Sequence, residues 1–175
     1  MQNVETETGE DLQVRWRYFS LEQNNHSHDP EKKVWENDSA RTRGINAFRA
    51  AEAVRKQGTD LFKIFHQLLL NAVHQEHLDI TDLDVLKDIV EKSGADLNRF
   101  LLDFNDPAIL DTLAEDHFHA VNDLNIFGAP TFVFNEDNPV FLKIKLSDTE
   151  NSYDLFKEFI HVSEHRKNVL EIKRP

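Results

Sequence analysis

Apolar positions along the chain change period three times. Residues Leu12, Val14, Trp16 and Tyr18 fall on one side of a stretch whose other side carries Arg15 and Arg17. Strict alternation of this kind predicts a strand with two unlike faces over Leu12–Phe19. From residue 44 the period lengthens: Ile45, Phe48, Ala51 and Val54 recur at three-residue steps until Gly58, a helix with a glycine stop. A second helix follows, with Thr59 as its N-cap and an apolar stripe from Leu61, Phe62, Phe65, Leu68, Leu69, Ala72 and Val73 that should make it the most buried of the set. Thr81-Asp82-Leu83-Asp84 resembles a capping box and starts a third helix through Val85, Leu86, Ile89 and Val90, ended by Gly94. Asp96 caps a short fourth. Asp106-Pro107, a cap followed by proline at the first helical position, opens a fifth with Leu110, Leu113, Ala114, Val121 and Leu124 on one face.

The period then returns to two. Thr131-Phe132-Val133-Phe134 reads as a short strand, Asn135–Pro139 as a hairpin turn, and Val140–Leu146 as the antiparallel partner. Residues Ser152 to about Asn168 close the chain as an amphipathic helix with Leu155, Phe156, Phe159, Ile160 and Val162 inward. Between Leu21 and residue 44 neither period holds, so Asn24–Arg43 is expected to be a loop anchored by Val34 and Trp35.

The first hairpin strand is entered through Gly128-Ala129-Pro130. An X-Pro amide has lost most of its preference for trans, so a cis Ala129-Pro130 bond is affordable at a tight reversal, with Gly128 supplying a permissive backbone. A turn of this kind leaves the Ala129 N–H and C=O without local partners, and such groups beside a cleft can pair with an extended peptide. Gly128, Ala129, Pro130 and Thr131 are therefore the expected substrate-binding residues. An ordinary trans-proline loop is the plain alternative on base rates. Trp16 and Trp35 are candidate walls of such a cleft or, equally in keeping with their bulk, core residues.

Charge and composition narrow the class. A net charge of -12, from 32 acidic and 20 basic residues, disfavours nucleic acid or an anionic membrane as partner. No apolar run approaches the ~20 residues of a membrane helix, and the start Met1-Gln2-Asn3-Val4-Glu5 has neither the basic nor the apolar region of a secretory signal, so a cytoplasmic location is expected. With no cysteine in 175 residues there is no disulfide and no thiolate ligand. Nine histidines include the close pairs His26/His28, His74/His77, His117/His119 and His161/His165, the last at i,i+4 beside Glu164. No pair has a third and fourth ligand in view, so no metal and no cofactor is expected. His117, between Ala114 and Val121 on the apolar side of its helix, reads as a core or cleft residue.

Two blocks together carry a resemblance. Val14-Arg15-Trp16-Arg17-Tyr18-Phe19-Ser20-Leu21-Glu22-Gln23 and, far downstream, Phe127-Gly128-Ala129-Pro130-Thr131-Phe132-Val133-Phe134 resemble the second strand and the cis-proline segment of the DsbA family of thioredoxin-fold oxidoreductases. That group embraces FrnE-like proteins and 2-hydroxychromene-2-carboxylate isomerases. The resemblance implies an α/β class: a thioredoxin-like domain from residues 1–43 and 126–175, with an inserted helical subdomain over residues 44–125. It also implies a central strand and a Cys-x-x-Cys segment ahead of residue 12, for which the chain shows no room; truncation is the leading explanation and natural loss of the site the second.

Three functions follow from the resemblance. One is that of a dithiol oxidoreductase whose nucleophile lies outside these residues, holding a thiol- or disulfide-bearing peptide, or a low-molecular-weight thiol, at the cis-proline loop. Another is that of a glutathione-dependent isomerase or kappa-class transferase, although Leu146-Ser147-Asp148-Thr149-Glu150 departs from that branch. The last is that of a non-catalytic binding module. No residue of the chain is expected to be catalytic. Without the central strand, Leu12–Phe19 and Thr131–Phe134 would be left with unpaired edges, which predicts self-association as a homo-oligomer.

Overall fold

The computed structural model describes residues 4–5, 12–26, 33–36, 44–144, 152–170 and 172. Packing divides the chain into two compact units, residues 18–120, and residues 1–17 together with 121–175.

The first unit is helical. A single turn and a half, α1 (Leu21–Asn25), is followed by α2 (Ile45–Arg55), α3 (Thr59–His74), α4 (Leu83–Ser93), α5 (Leu97–Phe104) and α6 (Ala108–Phe118), which ends in a π-helical turn over His119–Asp123. The centre of this bundle is α2, which packs against α3, α4, α5 and α6. Its composition explains why. Ala47, Ala50, Ala51 and Ala53 are all buried, and side chains that end at Cβ let several helices close in on one. The expectation that α3 would be the most deeply buried helix is thus corrected: α3 buries Phe62, Phe65, Leu69 and Ala72 along one stripe and leaves Ile64 and Leu70 exposed. A stripe of large residues gives a strong periodic signal, whereas alanines on every side give a weak one.

Helix ends follow local rules. Asp82 accepts from the Asp84 N–H at 2.9 Å, Asp96 from the Arg99 N–H at 2.7 Å, and Asp106 from the Ala108 N–H at 3.0 Å across Pro107. Gly94 ends α4 in the left-handed region at φ 81°. The cap of α3 is Gly58 at φ 148° with no side-chain bond, and Thr59 is the first helical residue. At that φ any side chain is strained, so the glycine takes the position expected for the threonine.

The second unit contains an antiparallel hairpin, β1 (Thr131–Phe134) and β2 (Asn138–Phe141), and the helix α7 (Ser152–His165). Register pairs Thr131 with Phe141 and Phe134 with Asn138, and the turn is made by Asn135 and Glu136 at φ 53° and 66°. One face of the hairpin lies on α7: the rings of Phe132 and Phe134 are 5.0 and 5.7 Å from that of Phe159, and the Asn138 side-chain amide donates to the Ser163 carbonyl at 2.8 Å. β2 stops at Phe141, short of the expected Leu146; Lys145 and Leu146 lie outside the described residues. Leu155, expected inward, is 44% exposed.

Residues 12–19 form no strand. Their alternation is a real property of the sequence, but a strand exists only when another strand satisfies its N–H and C=O groups, and among the described residues the sheet is β1 and β2 alone. Val14 and Trp16 are accordingly exposed. Among the described residues no helix is long and apolar enough to cross a membrane.

Candidate functional site

The cis-proline loop is built on β1 and β2. The Ala129-Pro130 bond is cis, as the sequence suggests. The Thr131 hydroxyl donates back to the Gly128 carbonyl at 2.7 Å, closing the loop on itself, and the Pro130 carbonyl accepts from the Leu142 N–H at 3.2 Å. Gly128 is buried, Thr131 is half-buried, and Ala129 and Pro130 are exposed. Gly128 is not among the residues with positive φ, but a Cβ there would lie 3.4 Å from the ring edge of Phe141. Phe127 stacks on the same ring at 5.2 Å between centroids and is 68% exposed.

The bond from Leu142 to Pro130 also fixes the phase of the ladder. Hydrogen-bonded pairs alternate with open ones in an antiparallel hairpin, so Phe132/Val140 is the next bonded pair, and Thr131 and Val133 turn their N–H and C=O away from β2. Among the described residues no strand pairs with that outer edge, and no hydrogen bond reaches the Ala129 N–H or C=O. The structure thus places Gly128, Ala129, Pro130 and Thr131 in one loop in which the Gly128 and Pro130 carbonyls are engaged internally, while the backbone polar groups of Ala129 and Thr131 face outward beside Phe127. Such an arrangement can accept and donate main-chain hydrogen bonds. With no cysteine it holds no thiolate, so covalent thiol chemistry is outside its own means.

The two tryptophans separate. Trp16 is exposed at 38%, while Trp35 is buried in the helical unit with Val34 and Ile45. Trp35 packs its ring 5.2 Å from the His117 imidazole and 5.3 Å from Phe118. His117 is 3% exposed, and burial holds its pKa below the ordinary histidine value. Its Nδ1 accepts from the Ser20 N–H at 3.2 Å, and the neighbouring Asp116 carboxylate accepts from the Tyr18 N–H at 3.1 Å. Ser20 caps α1 by accepting from the Gln23 N–H at 3.1 Å, and the Gln23 side chain in turn accepts from the Val34 N–H at 2.9 Å. Asp116 and His117 therefore hold Tyr18 and Ser20 against α6, while Ser20 and Gln23 tie α1 and Val34 to that contact. The Ser-x-x-Gln spacing of a capping box was the available sign of this arrangement. What the spacing could not foretell is that Gln23 reaches forward to Val34 while a histidine 97 residues away takes the Ser20 N–H.

Beside this clamp, burial pushes the Tyr18 hydroxyl pKa far above its ordinary value, against the lowering influence of Arg55; its bond to Glu52 at 2.9 Å adds to the rise. The Arg55 guanidinium lies over the rings of Tyr18 and Phe62 at 4.8 and 4.5 Å. His161 and His165 sit on α7 with ring centroids 5.5 Å apart, and among the described residues no three His, Cys, Asp or Glu side chains converge as a metal site would require. A groove of about 430 Å³ runs along α7 past Leu12, Phe156 and Ile160 and includes none of the cis-proline residues. Volume is a poor guide at this loop, because what it presents is an edge of backbone rather than a hollow.

Comparison with known proteins agrees with the fold class. A family model described as Thioredoxin matches residues 2–158. Over 98 residues the chain is 31% identical to the ClpXP adapter protein SpxH of Shouchella clausii (strain KSM-K16), a match covering 56% of this chain and 32% of that protein. The chain thus spans about a third of the length of the curated relative it matches. With a helical body, a hairpin entered through a cis-proline and a family match over nearly its whole length, the chain belongs to the thioredoxin family.

Proposed function

We propose that this chain is a DsbA-type member of the thioredoxin family that binds an extended polypeptide at its cis-proline loop and performs no thiol-disulfide exchange with its own residues. The observation that carries this reading is the exposed backbone of Ala129, without a hydrogen-bond partner among the described residues, next to the outward N–H and C=O groups of Thr131 and Val133. An extended segment laid along that edge gains main-chain hydrogen bonds, each worth about 1 kcal/mol net, without any covalent step. Two facts favour binding over catalysis. The chain contains no cysteine to attack a disulfide, and the similar protein from Shouchella clausii is named for an adapter role.

The test uses reduced, carboxamidomethylated insulin B chain as an extended probe whose thiols are blocked. Amide resonances of Ala129, Thr131 and Val133 are expected to shift on titration, and intact insulin is expected to stay oxidised in a dithiothreitol-coupled reduction assay at the buffer rate. Saturable shifts confined to other residues would overturn the binding reading. Turnover above buffer would overturn the claim that the chain is chemically silent.

A further inference from the structure

The clamp on α6 has a property that a purely structural contact lacks: one of its acceptors titrates. In the neutral imidazole of His117, Nδ1 offers a lone pair to the Ser20 N–H at 3.2 Å, so the ring proton is on Nε2. An added proton lands on Nδ1, turns that acceptor into a donor, and sets two N–H groups against each other at a buried position. We propose that His117 is a proton-operated latch that holds residues 18–26, with Val34 and Trp35, on α6 when neutral and releases them when protonated.

The release is transmitted by bonds already described. Ser20 is at once the partner of His117 and the cap of α1, so loss of its anchor loosens the Gln23 N–H, and with it the acceptor of the Val34 N–H. Val34 and Trp35 lie at the end of that chain, and the Trp35 ring leans on His117 itself. Charge around the imidazole does little to soften the effect. Phe19, Trp35 and Phe118 surround it at 5.1, 5.2 and 5.8 Å. The nearest carboxylate along α6, Asp116, is turned to the Tyr18 N–H, and Glu52 and Arg55 on α2 are engaged with Tyr18. Lys33 and Glu36, on either side of Val34 and Trp35, pair with each other at 2.7 Å. His119 and Asp123 follow on the π-helical turn.

The sign of the pH dependence follows from burial. The folded pKa lies below the unfolded value of about 6.5, so the unfolded or released form binds the proton more readily. The latch is therefore fully closed above pH ~6.5 and weakens as pH falls from there toward the folded pKa. Hydrogen exchange on the whole chain reads this directly. After correction for intrinsic rates, protection of the Ser20 and Val34 amides is expected to fall severalfold, up to about tenfold, between pH 7.5 and pH 5.5, while amides in α3 and α4 keep theirs. His117→Asn, which places a non-titrating acceptor near Nδ1, should abolish the difference. A second readout on Trp16→Phe protein follows Trp35 emission alone, which should shift to the red over the same interval with helical ellipticity unchanged. Constant protection of Ser20 and Val34 across the interval would overturn the latch, as would an acid response that survives His117→Asn or a loss of protection shared equally by α3 and α4.

Discussion

Phe65, Phe100, Leu86, Ile109, Leu113, Val54 and Val90, the largest fully buried side chains described, all belong to the helical unit. In the hairpin unit Phe127, Val133, Phe141, Ile144 and Leu155 are exposed. The contrast is one of closure. Helices joined by short connections meet each other within about 20 residues and can bury a stripe on every neighbour, so the helical unit completes a core from its own sequence. Among the described residues the hairpin has only α7 on one face, and two strands offer too little buried surface to be independently stable. Its second face stays bare, and that face adjoins the loop where binding is proposed. On the proposed function, stability and recognition thus fall to different parts of the molecule.

The sharpest way to break this comparison is by truncation. Phe65→Ala or Phe100→Ala should cost about 3–5 kcal/mol in urea unfolding, because each leaves a void among fully buried neighbours. Phe141→Ala, removing a ring of the same size from the hairpin, should cost less than about 1 kcal/mol, since surface substitutions rarely cost more. Equal losses would mean that the hairpin contributes to the same core. Self-association probes the bare face from outside. In sedimentation, the protein is expected to associate, and Phe127→Ser with Ile144→Ser should weaken association at least tenfold, about 1.4 kcal/mol. Leu102→Ser, at an isolated exposed position of the helical unit, should leave it unchanged.

Removing a cap is a smaller intervention. Asp96→Ala should lower stability by about 1 kcal/mol through loss of the bond to the Arg99 N–H, read from the midpoint of helical unfolding. The smallest effect expected is at Lys33→Ala. Its pair with Glu36 is exposed on both sides, and such pairs contribute roughly 0–1 kcal/mol. A larger loss would show that residues 33–36 matter to the helical core through more than Val34 and Trp35.

How much of this was legible in the sequence depended on how local the cause was. The helices α2 to α6 announce themselves because both the period and the caps are written within a few residues: Asp82, Gly94, Asp96 and Asp106 act where their spacing says they should. Leu12–Phe19 shows the converse. Period two records which side chains would share a face, but pairing needs a second strand, and alternation alone says nothing of whether one is there. The cis-proline loop was readable as a motif, while the approach of Gly128 to Phe141 was not, because Phe141 comes from the opposite strand. His117 was recognisable as buried from its neighbours on the helix. Its bond to Ser20 spans 97 positions, and no local pattern encodes a contact of that range.

Pro139 gives the hairpin a polarity. It faces Val133 at an open pair of the ladder, so the N–H it lacks would have pointed outward from β2. The outer side of β2 is therefore missing a donor where a further strand would need one, which is how proline blunts an edge. On the other side of the sheet, Thr131 and Val133 keep theirs. Growth of the sheet is permitted in one direction only, and two copies that met along their β1 edges would use up the sole competent side of each. Association through this sheet should consequently end at a closed pair and not run on into a filament.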